Sequence, residues 1–391
     1  MGGTVDIKDI FPPPGHVQRL RCSDCDGWLD LAYADFDETV SGARIAIKGL
    51  PVLRCSTCEK DYLPDRSRIS IIRLHEQCVS KVSAGVTVTR RKLEDRYPFT
   101  DVPFQYDADD YEYLPGLRGQ GDGFLTLVFF KRGVLLKYDT ASGYRLTFAS
   151  RTYGTITTDE DNQISFGINR NGRVVMWLGD IATLPVPEQY YLLSENVESD
   201  HSIGSEFYDG QIDCIFSDPT PENDLLAART DFLEAARMHF GATLAHLEAE
   251  VVAIALDFAR PLTDSVKNQQ HAADALNKIH VESLDTQAIG KLLSAAGGDP
   301  KGLGGLKRLQ TLLETLPGSS AISNLMLPLF VTYDLRVANL HLTSTGTASD
   351  KMDDITSRLG LPAAAPFFDV YDALVKQLAA AYRGLQELLT P

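Results

Sequence analysis

The sequence predicts a multidomain α+β architecture, and three observations carry that expectation. Two Cys-x-x-Cys pairs, Cys22/Cys25 and Cys55/Cys58, are separated by 29 residues near the N-terminus. From about residue 95 to 219 the chain holds short β-rich runs between turn signals. At "SDPTPENDLL" the apolar period switches to nearly 3.6 and stays there to the end. The predicted parts are a cysteine module with a following helix (16–94), a mainly antiparallel β domain (95–219) and an α-helical bundle (220–391).

In the first part, "WLDLAYADFD" and "ARIAIKG" alternate loosely as strands between the cysteine pairs, and residues 68–82 read as a helix. In the second, "FLTLVFFKRGVLLKYD", "GYRLTFAS", "ISFGINRNGRVVMWLGD" and "QIDCIFSD" read as strands, and Asn171-Gly172 is the strongest hairpin signal in the chain. In the third, Thr220 as N-cap with Pro221 after it opens a long helix running to Phe258. Further helical patterns cover about 264–279, 283–296, 303–316, 320–341, 351–359 and 366–389.

Composition sets limits on function. Net charge is −16, with 44% hydrophobic and 23% charged residues. Residues 1–97 carry 15 basic and 14 acidic side chains, residues 98–219 carry 8 and 19, and residues 220–391 carry 14 and 20. The acidic middle would repel phosphate backbones, which argues against general duplex binding. The longest apolar run, Phe124–Phe130, is far shorter than the roughly 20 residues a bilayer needs. The N-terminus lacks a basic start and an apolar core, and Asp6 stands where myristoylation wants Ser or Thr. A cytoplasmic location is expected.

In a reducing compartment the paired cysteines argue for a metal rather than disulfides. Two Cys-x-x-Cys turns present four thiolates to one ion, a set that suits zinc, and the module looks like a zinc ribbon. Gly27 suits the tight knuckle after the first pair. Four sulfurs leave no position for water, so the expected Zn2+ is structural. His75 and Cys78 are expected to pack, Cys214 to be a small buried hydrophobe, and "YDADDYEY" (106–113) to be a solvated acidic loop. "LSENVESDHSIGSEFYDG" (193–210), which holds His201, reads as a connecting loop, and His239, His246 and Glu250 as one helical face.

The polar residues Asp334, Arg336, Asn339 and His341 interrupt an otherwise apolar helical pattern, "NLMLPLFVTYDLRVANLHL", where charge needs a reason. "LRVANLH" resembles the Arg-x4–6-His motif of the HEPN superfamily of helical-bundle ribonucleases, over residues 220–391. Val337 stands where that family often has a polar residue. The resemblance implies metal-independent RNA cleavage of a toxin or anti-phage type. Arg336 would hold the phosphate, His341 would transfer protons and Asn339 would orient the substrate. Arg336 and His341 lie about 140° apart on a regular helix. They converge if the helix distorts before His341, if the long Arg336 side chain reaches round, or if two protomers supply complementary parts; the resemblance implies the last, a site built across a homodimer of the bundle. The alternative is a non-enzymatic adaptor or regulator that binds protein partners through the ribbon, the β domain or the bundle.

Overall fold

The computed structural model is 48% helix and 18% strand. It describes residues 4–12, 14–15, 17–93, 99–119, 123–158, 162–317, 321–340 and 345–389, with only the backbone path given for 345–349. The expected boundary at 94/95 and His341 lie outside the described residues. The chain forms two compact units, Met1–Asp218 and Pro219–Pro391.

The first unit is built on a long hairpin. β1 (Thr4–Val5) lies parallel to β2 (Leu29–Val40), and α1 (Ile7–Ile10) buries Ile10. β2 turns antiparallel into β3 (Ala43–Cys55) through Ser41-Gly42, both at positive φ, the mirror-type turn that matches strand twist. β4 (Asp61–Tyr62) pairs with the cysteine end of β3. α2 (Asp65–Ser80) sets Ile71 against Ile45, Ile47 and Leu50, and β5 (Gly85–Thr89) joins the far end of β3 in parallel.

α3 (Ala108–Tyr113) leads into the second sheet. Its strands are β6 (Leu127–Phe130), β7 (Tyr144–Phe148), β8 (Tyr153–Thr158), β9 (Gln163–Ile168) and β10 (Val174–Trp177), with α4 (Leu135–Thr140) between β6 and β7. After α5 (Leu178–Ala182) and α6 (Val186–Glu195), β11 (Asn196–Val197) completes the antiparallel order β11-β6-β10-β9-β8-β7. α7 (Glu206–Gln211) closes the unit. The Asn171-Gly172 step sits in the β9–β10 turn, with Gly172 at φ +76°.

Residues 16–94 and 95–218 do not form separate cores. Leu20, Leu29 and Leu53 of the cysteine module pack with Phe129, Trp177 and Phe207 of the second sheet. "KRGVLLKYD" is a 3-10 turn followed by α4 rather than strand, since Leu135 and Tyr138 bury one helical face. "QIDCIFSD" forms no strand: Cys214 is exposed at φ +55°, and Phe216 faces solvent.

Among the described residues the second unit is built of helices, with one isolated β-bridge between Ala245 and Leu284: α8 (Pro221–Phe240), α9 (Glu248–Leu256), α10 (Val266–Asn277), α11 (Thr286–Ala295), α12 (Gly305–Glu314), α13 (Ile322–Leu340), α14 (Thr345–Arg358) and α15 (Phe367–Glu387). Thr220 caps α8 by accepting from Asn223 N. The single helix expected to Phe258 ends at Gly241, whose φ of +68° makes a left-handed C-cap. Leu225, Phe232, Leu276, Leu335, Tyr371 and Leu378 share one core.

Candidate metal centre and a second cleft

Each cysteine pair folds into the same turn. Asp26 N donates to Cys22 O at 3.0 Å and Glu59 N to Cys55 O at 3.0 Å, with Asp26 and Glu59 at φ +58° and +59°. Because Leu29 pairs with Cys55 across the hairpin, the two turns meet at one end of it. All four Sγ atoms lie within 4.8 Å of one another, with Cys22–Cys58 at 3.6 Å and Cys25–Cys55 at 3.5 Å. A tetrahedron of 2.3 Å metal–sulfur bonds has edges of about 3.8 Å, so the cluster is compatible with one ion. All six cysteines are free thiols. Thr57 N and Cys58 N approach Cys55 Sγ at 3.4 and 3.5 Å.

The left-handed residue of the first turn is Asp26, not Gly27. Gly27 is required by close approach, because a Cβ there would lie 2.6 Å from Thr57 Oγ1 and 3.0 Å from Cys55 Sγ. Around the centre, Lys60 pairs with Asp24, Arg54 with Asp61, and the Arg21 guanidinium lies 3.3 Å from the Trp28 ring centroid. Cys78 is buried and lies outside the cluster.

The polar residues of α13 are engaged locally. Arg336 lies between Asp274 and Glu282, at 3.8 and 3.4 Å. Asp334 pairs with Arg358 at 2.6 Å. Asn339 Nδ2 donates to Leu335 O one turn back, so its side chain serves its own helix. His239 ends α8 and His246 precedes α9, and the break between them removes the single face expected to carry them with Glu250.

A second constellation was hidden in the sequence. The acidic stretch 107–112 overlaps α3, and Asp109 and Asp110 are both 0% exposed. His201 Nδ1 lies 2.7 Å from Asp110 Oδ1, and Ser199 Oγ donates to Asp110 Oδ2 at 2.6 Å. Tyr33 Oη donates to Asp109 Oδ2 at 2.8 Å, Arg90 pairs with the same carboxylate, and Lys92 lies 3.0 Å from Asp107. Tyr33, Arg90, Lys92, Asp107, Asp109 and His201 border an open cleft of about 550 Å³.

Burial pushes Asp110 above the usual carboxylate range. Burial also opposes a charge on His201, but the Asp110 hydrogen bond and the carboxylates of Asp110, Asp107 and Asp109 outweigh it and raise the imidazole above its ordinary 6.5. Burial, then the Asp109 hydrogen bond, keeps the Tyr33 phenol protonated. Since Nδ1 faces Asp110, Nε2 is the nitrogen left to the cleft. Ser199 is bound to Asp110 and to His201 N, so it is no nucleophile for this histidine.

Among the described residues no helix is long and apolar enough to cross a membrane. Compared with family models, curated proteins and solved structures, the chain matches none of them.

Proposed function

We propose that this protein is a non-enzymatic adaptor, in which a zinc ribbon braces the N-terminal unit and the helical unit docks a partner, a second copy of the chain in the first instance. The observation that carries the reading is α9. Its sequence, EAEVVAIAL, is apolar from Val251 onward, yet only Val251 is buried, while Val252 and Leu256 are 56% and 81% exposed. Exposed apolar surface of that kind marks interaction sites. The four thiolates suit Zn2+, which would hold the two turns together without offering a site for water.

The second reading is a metal-independent endoribonuclease of a toxin or anti-phage system, with Arg336 on the phosphate, Asn339 orienting the RNA and His341 transferring protons. It draws on one feature of Arg336. Its ion pairs are long and its side chain is 30% exposed. The guanidinium therefore keeps donors for an oxyanion.

The test is purified protein with several RNAs and excess chelator, alongside its mass in solution by light scattering. The adaptor reading expects intact RNA and a dimer that reverts to monomer in Val252→Asp/Leu256→Asp. Cleavage that survives chelation and vanishes in His341→Ala overturns it in favour of the nuclease. A wild-type monomer that leaves RNA intact overturns the commitment to a second copy as partner.

A further inference from the structure

We infer that the cleft in front of His201 binds a small zwitterion, an ammonium joined to a carboxylate, with His201 Nε2 and Arg90 on the carboxylate and Asp109 on the ammonium. This inference is independent of the adaptor reading.

The histidine is held in place by a built frame. His201 has φ +60°, a left-handed conformation that strains a non-glycine residue and persists only where its surroundings impose it. Here its N–H donates to Ser199 Oγ at 2.9 Å, and its carbonyl accepts from Leu31 N at 3.2 Å. The preceding residue, Asp200, is gripped by Asn169 and Asn171 of the β9–β10 turn at 3.0 and 2.9 Å. Asp110, at 0% exposure, fixes Nδ1 from behind. Every anchor leaves Nε2 as the free edge of the ring.

Asp109 supplies the complementary half. It lines the cleft and is 0% exposed, and its Oδ2 takes Tyr33 Oη and Arg90, while Oδ1 is buried with no hydrogen-bond partner. Arg90 Nε is likewise buried without one. Leaving a buried acceptor or donor unpaired is costly, because it has given up water without a replacement. Both residues line the cleft, and binding must turn Asp109 Oδ1 to a ligand's donor and Arg90 Nε to its acceptor.

Charge selects the ligand class. The lining sets Lys48, Arg90 and Lys92 against Asp35, Asp107 and Asp109. A phosphate would meet the carboxylates, and a simple cation would meet the three basic groups. A molecule carrying one charge of each sign meets both halves favourably. The volume lies within the usual range for small-molecule sites. A protonated His201, favoured by Asp110 behind it, donates to the carboxylate.

The test is calorimetric and thermal-shift titration of the full-length, metal-loaded chain with the free α-amino acids, and separately with inorganic phosphate, acetate and ammonium. The expected result is saturable binding of at least one amino acid, weakened roughly tenfold or more by His201→Asn and by Lys48→Met. Asp109→Asn is expected to do the same. Should that buried change unfold the chain, the wild-type His201 ring signal is followed by NMR and must shift as ligand is added. Binding that ignores His201→Asn overturns the inference. So does binding of phosphate in place of amino acids, or the absence of binding by any of these probes.

Discussion

Stripping the four-sulfur centre is the perturbation whose size follows most directly from the architecture. An ion on Cys22, Cys25, Cys55 and Cys58 would cross-link two turns with 29 residues between the pairs. By the chain-entropy relation for a closed loop of that length, the cross-link is worth about 3–4 kcal/mol through the unfolded state alone. Cys22 and Cys55 are buried in the same core as Leu29, Leu53 and Trp177, so the loss cannot stay confined to an exposed knuckle. For a unit of this size that is a fall in Tm of roughly 6–16 °C. The assay is calorimetry before and after chelation, with metal content by mass spectrometry, and Cys55→Ser as a genetic counterpart. The transition of residues 1–218 is expected to move, and that of residues 219–391 to stay. Purified protein without stoichiometric metal, or one whose Tm ignores its removal, would refute the reasoning.

Three further outcomes are expected. Gly27→Ala places a methyl against Thr57 Oγ1 and Cys55 Sγ and costs about 1–3 kcal/mol by overpacking; Thr57→Ala in the same background recovers part of it in denaturant melts, and strict additivity of the two changes would count against the close approach. His201, facing Asp110, Asp107, Asp109, Tyr33 and Arg90, has its folded pKa raised. It therefore adds stability that is complete below the unfolded value near 6.5 and is lost as pH rises from there through the folded value; His201→Asn flattens that decline in Tm above about pH 6.5 and leaves the profile below it unchanged, and a decline that persists in the variant would disprove the coupling. Arg336→Ala removes long, partly exposed ion pairs and shifts the unfolding free energy by about 1 kcal/mol or less; a much larger loss in urea titrations would mean that this arginine is a structural tie rather than a group with donors to spare.

What the sequence revealed and what it concealed divide along the distance between interacting residues. The cysteine cluster is legible because each turn brings its two ligands within three residues, and only one pairing of the turns is left for the hairpin to make. The helices are legible because a 3.6 period is local. The break at Gly241 escapes the same logic, since Phe240, Thr243 and Leu247 keep the helical spacing across it while the left-handed backbone ends the hydrogen bonding. The acidic run at 107–112 fails for a stronger reason. Composition alone makes it a solvated loop, but Asp109 meets Tyr33 from 76 residues away, and Asp110 meets Ser199 and His201 from 89 and 91. Nothing within a window of sequence encodes those partners. One local signal does point toward them, because the Asn171-Gly172 turn sets Asn169 and Asn171 on Asp200, next to His201. A turn motif that reads as a simple reversal of the chain thus braces the loop that aims an imidazole, and replacing Asn169 would test whether the strained backbone at His201 survives without it.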